Sequence, residues 1–312
     1  MSLLPEFEYK RPESLEEFLH LLSDYKGDAM ILAGGTDLLP RIKMGLKNPD
    51  LIIDIKNIDG LSYVKDEGKN VRIGALTIIY EIIKSKIIKD KYPALHEAAT
   101  LTASENLQQR GTIGGNILQD TRCLYYNKPE SWRKSFNPCF KTGGEICNAA
   151  RGGKKCFAVY CGDLAPALIS LGASVCLLGK KGEKEMPLKD IFSGDGKFPF
   201  SLSSDELIKN IIIPSDEMRG GYEKLRMRKS IDYPVVNIAL SMDAGDKGRL
   251  VVGSAGANPL IYDFSSSEEL RQIPEKAQND MSTVNNMYLS PLYRKNMVGV
   301  LSDKVIERVL AS

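Results

Sequence analysis

Four cysteines, Cys123, Cys139, Cys147 and Cys156, stand at the spacing C-x15-C-x7-C-x8-C in a segment otherwise rich in Lys, Arg, Asn and Gly. Soft metal centres need several thiolates converging from a flexible stretch of chain, and this stretch can supply four. Three readings compete. A structural zinc site usually carries a short C-x2-C or C-x4-C knuckle, and the segment has none. Unligated thiols are the plain alternative, since free cysteine is among the most buried residue types. Cys161 and Cys176, in apolar stretches flanking a helix, fit that description. The four segment cysteines instead have polar neighbours (Arg122, Lys141 to Glu145, Asn148, Lys154 and Lys155), which favours an iron–sulfur cluster. Between Cys123 and Cys156 seven Lys/Arg face two Glu, Glu130 and Glu145. That excess could steer an acidic electron-carrier protein, or it could be a solvated loop around an anionic cluster.

Two glycine motifs precede the segment. Ile31-Leu-Ala-Gly-Gly-Thr-Asp-Leu38 places Gly34 and Gly35 directly after a short apolar run, where a chain without Cβ atoms can turn its N–H groups towards an anion. Thr36 and Asp37 then stand where a helix can begin. Gly111-Thr-Ile-Gly-Gly-Asn116 repeats the ingredients with Thr112, Gly114, Gly115 and Asn116. Either motif alone is more often a tight turn. Two of them, each beside a hydroxyl, are better explained as clamping one diphosphate from both sides. Neither G-x-G-x-x-G nor G-x-x-x-x-G-K-[ST] occurs, which argues against a Rossmann enzyme or a P-loop nucleotidase. Asp163 precedes a helix and could either cap it or accept hydrogen bonds from a ribose.

These residues need a framework. The 312 residues are 43% hydrophobic and 26% charged, the balance of an ordinary globular chain with room for two or three cores. A net charge of +2 argues against a general nucleic-acid binder. The longest uncharged run, Leu164 to Gly179, is shorter than the ~20 residues of a membrane span. No signal peptide is read at the N-terminus, so the cysteines point to a reducing compartment and a cytoplasmic protein. Helices are expected over Ser14 to Tyr25, Ile78 to Ile88, Pro93 to Thr100 and Leu164 to Leu171. Strands are expected over 29–33, 51–55, 71–75, 173–178 and 208–214, with a charged turn at Lys180 to Glu185. Three further strands, 222–227, 235–242 and 249–255, form an antiparallel sheet followed by two or three helices. The cysteine segment, about 121–159, lacks periodicity and reads as an insertion.

Taken together, Ala-Gly-Gly-Thr-Asp-Leu at 33–38, Thr-Ile-Gly-Gly-Asn at 112–116, Gly-Asp-Leu-Ala-Pro-Ala-Leu at 162–168 and Lys-Leu-Arg-Met-Arg at 224–228 resemble the FAD-binding medium subunits of the molybdenum hydroxylases, the xanthine dehydrogenase and carbon monoxide dehydrogenase family. The likeness covers nearly the whole chain. It implies an α+β chain: a two-subdomain FAD-binding fold of the vanillyl-alcohol oxidase (PCMH) type, plus a C-terminal domain with a three-stranded antiparallel sheet and helices. The implied boundaries are 1–218 (subdomains 1–56 and 57–218, insertion at 121–159) and 219–312. In that family the glycine loops hold the FAD diphosphate, the aspartate matched by Asp163 lies near the adenosine ribose, and Lys224 lies near the isoalloxazine. Leu32, Ala33, Leu38, Thr102, Gly111 and Asp120 join the cofactor-binding set on the same basis.

The insertion, beginning Cys123-Leu-Tyr-Tyr-Asn-Lys-Pro-Glu-Ser-Trp-Arg133, is similar to that of 4-hydroxybenzoyl-CoA reductase β subunits, in which four cysteines ligate a [4Fe-4S] cluster. This resemblance implies electron relay from a ferredoxin-like donor through the cluster and FAD. A small subunit with two [2Fe-2S] clusters would pass electrons to a molybdenum cofactor in a large subunit, for reductive dehydroxylation of 4-hydroxybenzoyl-CoA. No catalytic acid or base is expected in this chain, and His20 and His96 read as ordinary helix residues. Cys161 is a fifth nearby thiol. The alternatives are a flavin subunit of a xanthine or nicotinate type with outward electron flow, and a zinc-stabilised binding module.

Overall fold

The computed structural model describes residues 4–25 and 27–311, an α+β structure built on three sheets. The first is parallel, with strand order β1-β3-β2: β1 (Glu8–Lys10), β2 (Ala29–Leu32) and β3 (Leu51–Asp54). Helix α1 (Leu15–Asp24) starts where the Ser14 hydroxyl accepts the Glu17 N–H while the Glu17 carboxylate accepts the Glu13 N–H. It buries Phe18 with Leu51 and Ile53 of β3. Helix α2 (Leu38–Lys43) follows β2 after the first glycine motif.

The second sheet is antiparallel, in the order β4 (Val64–Asp66), β5 (Asn70–Gly74), β8 (Leu207–Pro214), β6 (Ser174–Gly179) and β7 (Gly182–Pro187). Between β5 and β6 run α3 (Ile79–Lys84), α4 (Lys86–Lys91), α5 (Pro93–Leu101), α6 (Glu105–Gln108), α7 (Ile113–Ile117), α8 (Glu130–Arg133) and α9 (Leu164–Ser170). Two expectations are corrected. The helix expected over Ile78 to Ile88 breaks at Ser85, whose extended ψ of 116° interrupts it and whose hydroxyl caps α4. The charged stretch from Lys180 to Glu185 is mostly strand β7. Its charges mislead because β7 is a solvent-facing edge, where charged residues are at home.

The C-terminal sheet has four strands, not three, in the order β12-β11-β10-β9. They are β9 (Arg219–Leu225), β10 (Val236–Met242), β11 (Gly248–Gly253) and β12 (Leu260–Phe264). The last was missed because it is short and follows Pro259, which reads as a breaker. Helices α10 (Ser267–Asp280) and α11 (Pro291–Leu310) cover one face, packing on Val236, Ile238, Leu240 and Met242. The other face of β10 carries small or polar residues because α9 lies close against it. The Ser241 and Ser170 hydroxyls meet at 2.7 Å, and a Cβ on Gly253 of β11 would lie 2.8 Å from Pro166 Cγ. Tyr222, Ala239 and Val251 thereby enter the main core with α5 and α9, which fixes α9 and the residue before it, Asp163. Among the described residues no helix is long and apolar enough to cross a membrane.

Candidate cofactor-binding site

From the end of β2 the chain turns through Ala33 to Asp37 into α2. Gly35 has φ +76°, a conformation glycine adopts without strain. Gly34 has no room for a side chain: a Cβ would lie 2.0 Å from the Arg110 carbonyl oxygen and 3.0 Å from Gly111 Cα. The two glycine loops therefore pack backbone against backbone. Among the described residues, no protein group accepts the amide N–H of Gly34, Gly35, Thr36 or Asp37. All four line a cleft of about 540 Å³. Successive open amides make an anion cradle, and the position before α2 adds to it.

The second loop behaves differently. Thr112 caps α7 by accepting the Gly115 N–H at 3.1 Å, and the N–H groups of Ile113 and Gly114 go to the Thr77 and Ala75 carbonyls. The expected two-sided clamp is thus uneven. One loop presents donors, and the other contributes a floor of Gly114 and Gly115.

Ala33, Leu38 and Asp120 line the same cleft, whereas Thr102, Gly111, Asn116 and Asp163 line an adjoining cavity of about 190 Å³. Thr36, Asp37, Thr112 and Gly115 face both. Two chambers meeting at an anion cradle suit a long cofactor with a central diphosphate, so these residues fit FAD. Leu32 and Lys224 line neither chamber. Leu32 packs with Ile42 and Ile52, and Lys224 is buried in an ion pair.

That pair changes the expectation for two residues. Asp163 neither caps α9 nor stands open. Its carboxylate lies 2.9 Å from Lys224 Nζ and accepts the Tyr222 hydroxyl at 2.6 Å, while Asn116 Oδ1 accepts the N–H of Leu164. Burial pushes the Asp163 carboxyl up, and Lys224 and Tyr222 act against it. The ion pair places Asp163 and the Lys224 ammonium together at the wall of the second chamber. Lys224 also donates to the Leu101 carbonyl, bracing β9 against the end of α5.

Sequence reasoning missed a charged network along the cleft. Arg41, fully buried, reaches Asp37 at 2.9 Å and Asp120 at 2.5 Å. Its i+4 spacing from Asp37 was a usable signal. Lys141, from the cysteine segment, reaches Asp120 at 2.6 Å and the Thr121 hydroxyl at 2.6 Å; nothing local in the sequence pairs it with a residue twenty-one positions away. Arg122 lies 3.6 Å from Asp37 and 3.8 Å over the Tyr233 ring. Burial pushes the Asp120 carboxyl up, but Lys141 and Arg41 more than offset it and hold it below the ordinary range. The cleft acids are thereby neutralised, which a bound diphosphate requires.

The cysteine segment is closed at its neck by paired hydrogen bonds between Arg122 and Val159. A turn through Gly143, at φ +87°, and Gly144, whose Cβ would lie 1.8 Å from the Pro138 carbonyl, folds Cys147 back beside Cys139. As a result Cys123, Cys139, Cys147 and Cys156 line one small cavity of about 10 Å³, with Lys141 and Tyr126 in its wall. This is the room of roughly one water, so a cluster requires the thiols to part. Residues 129–148 are largely exposed and hold little regular structure, which leaves them free to do so. The Ala158 N–H donates to Cys156 Sγ. Burial pushes the Cys123 and Cys156 thiols up to about 11, so a metal must displace their protons. Among the described residues no three His, Cys, Asp or Glu side chains converge closely enough to hold a single metal ion. Cys161 lies elsewhere, in a small apolar cluster with Val159 and Met287, and Cys176 is buried on β6. The His20 side chain makes a surface contact with Asp24, and the His96 side chain a hydrogen bond with the Ile83 carbonyl.

Comparison with known proteins agrees with this geometry. Residues 5–216 match the family model of the FAD binding domain in molybdopterin dehydrogenase. The carbon monoxide dehydrogenase medium chain of Hydrogenophaga pseudoflava is 32% identical over 241 residues, covering 76% of this chain and 69% of its own. The nicotinate dehydrogenase FAD-subunit of Eubacterium barkeri is 29% identical over 276 residues, covering 86% and 80%. Among solved structures, the Hydrogenophaga pseudoflava carbon monoxide dehydrogenase lacking the Mo-pyranopterin moiety superposes with a TM-score of 0.79 at 25% identity, covering 99% of both chains. The chain therefore belongs to the FAD-binding medium subunits of the molybdenum hydroxylase family and is an oxidoreductase subunit with an FAD-binding domain of the PCMH type.

Proposed function

We propose that this chain takes electrons from a ferredoxin-like donor through a [4Fe-4S] cluster held by Cys123, Cys139, Cys147 and Cys156, and passes them by way of FAD to partner subunits. The partners are a small [2Fe-2S] subunit and a large molybdenum-cofactor subunit. There 4-hydroxybenzoyl-CoA takes up two electrons and two protons and leaves as benzoyl-CoA and water. The observation that carries the reading is the gathering of four thiols, distant in sequence, around one cavity whose wall includes Lys141, itself bound to the cleft residue Asp120. A single zinc ion draws its thiolates within about 2.3 Å of one point. Zinc sites also usually carry a short C-x2-C or C-x4-C knuckle, which this segment lacks. The CoA substrate rests on the likeness of the insertion to 4-hydroxybenzoyl-CoA reductase β subunits.

FAD, when bound, would supply redox chemistry that can proceed one electron at a time, as a relay between iron–sulfur clusters requires. The chain's own work is positional. The amides of Gly34 to Asp37 hold the diphosphate, Arg41 and Lys141 neutralise Asp37 and Asp120 beside it, and Asp163 with Lys224 and Tyr222 fixes the wall of the second chamber. On this reading the FAD-binding domain ends near residue 218 and the C-terminal domain begins at 219.

The experiment is a half-reaction assay on the purified complex. Reduced ferredoxin should bleach the flavin and support loss of the 4-hydroxyl from 4-hydroxybenzoyl-CoA. The names of relatives such as nicotinate dehydrogenase favour a second reading with outward flow. Flavin bleached by an N-heteroaromatic substrate, and not by ferredoxin, would establish that one instead.

A further inference from the structure

Beside the thiol cavity the insertion carries an aromatic cluster turned to solvent. Tyr125, Trp132 and Phe136 stack with ring centroids 4.6 to 6.4 Å apart. Trp132 and Phe136 are 38% and 40% exposed, and Ile146 is 42% exposed. Tyr125 and Ile146 line the thiol cavity from its inner side, so the outer surface lies one side chain from the thiols. The packing of these rings on one another accounts for their mutual contacts but not for their exposure, since contiguous exposed apolar groups on a soluble protein mark contact sites. Cations rim the cluster. Lys128 Nζ sits 5.7 Å over the Trp132 ring, and Arg133 and Lys134 stand on the same helical turn. The one acid of that turn, Glu130, is spent on Lys134 at 3.0 Å.

We infer that the Tyr125–Trp132–Phe136 face is the docking surface for an acidic electron-carrier protein. This rests on the cluster reading given under Proposed function. The basic rim selects an acidic partner and disfavours a second copy of this chain, because a two-fold contact would bring like charges together. The face is a handful of side chains, the scale of a transient redox encounter, whereas a permanent subunit interface buries far more. In the docked pair one electron leaves the reduced carrier, which is oxidised, and enters the thiol-held cluster, which is reduced. No atom is transferred. Electron tunnelling falls steeply with distance, so a contact one side chain from the thiols is where such a carrier is useful.

The test compares wild-type complex with Trp132→Ala/Phe136→Ala and with Lys128→Glu/Lys134→Glu; Arg133 is spared because it also donates to the Gly45 carbonyl. The probes are an acidic ferredoxin and photoreduced deazariboflavin, a small neutral reductant. Two quantities are read: affinity for oxidised ferredoxin and the second-order rate of reduction. We expect the wild-type ferredoxin rate to fall about tenfold or more between about 0.01 M and about 0.15 M ionic strength. Both variants should lose about tenfold in ferredoxin affinity and rate, with deazariboflavin reduction within about twofold of wild type. Ferredoxin binding untouched by either variant overturns the docking assignment, as does loss of a partner subunit, which would make the face a permanent interface. Iron measured on the same samples separates the two claims. Wild type without iron overturns the cluster reading together with the docking, whereas iron-replete complex indifferent to the substitutions overturns the docking alone.

Discussion

Lys141 Nζ lies 2.6 Å from Asp120 Oδ1, and the other oxygen of that carboxylate lies 2.5 Å from Arg41, so one half-buried acid ties the cysteine loop to helix α2, which follows the first glycine loop. Removing one partner of a buried ion pair leaves an uncompensated charge and costs about 3–5 kcal/mol. Because Asp120 retains Arg41, Lys141→Met should cost near the low end, about 3 kcal/mol. The expected outcome is a lower unfolding midpoint together with loss of FAD on gel filtration, although all four cysteines remain. Asp120→Asn combined with Lys141→Met should be less damaging than the sum of the single changes.

Gly34→Ala tests the contact between the glycine loops. A Cβ there meets the Arg110 carbonyl at 2.0 Å, and the neighbour is backbone that can yield only by moving the loop. Overpacking of this kind costs about 1–3 kcal/mol, and the loss should fall on FAD affinity, about tenfold or more by fluorescence titration. A Gly245→Ala control, in the turn between β10 and β11 where φ is not positive and a Cβ meets nothing nearer than 3.4 Å, should bind FAD like wild type.

Cysteine substitutions should separate by cavity. Cys139→Ser removes a cavity-lining thiol and should strip iron while the Lys141 bridge keeps FAD in place. Cys161→Ser, in the Val159–Met287 cluster, should retain full iron. Iron and acid-labile sulfide assays on anaerobically purified protein decide both.

Acid should act through Asp120. Its folded-state pKa lies below the unfolded one, so its contribution is complete above the ordinary aspartate value, about 3.9, and is lost as pH falls through the depressed value. Asp163, raised by burial, runs the opposite way: its contribution is present in acid and lost as pH rises through its folded value. FAD release on acidification, followed by flavin fluorescence, should therefore set in below about pH 4, and Asp120→Asn should remove that step.

Much of the frame was legible because periodicity and glycine placement are local. The strands flanking Gly34, helix α1 and helix α9 follow directly from residue pattern. What escaped was set by partners far along the chain. Asp163 could be read as a cap or as a ribose acceptor, yet Lys224 and Tyr222 on β9 claim it. The second glycine loop looked like a twin of the first, but the Thr77 and Ala75 carbonyls had already taken its amides. Strand β7 was hidden by charges that only an exposed edge tolerates.

The most direct measurement is the metal and flavin content of the complex purified without oxygen, read with the low-temperature EPR spectrum after reduction. The account predicts about one FAD and four irons assignable to this chain, with a cluster signal that disappears in Cys147→Ser. Stoichiometric zinc, or FAD with no iron in this chain and a spectrum unchanged by Cys147→Ser, would contradict it.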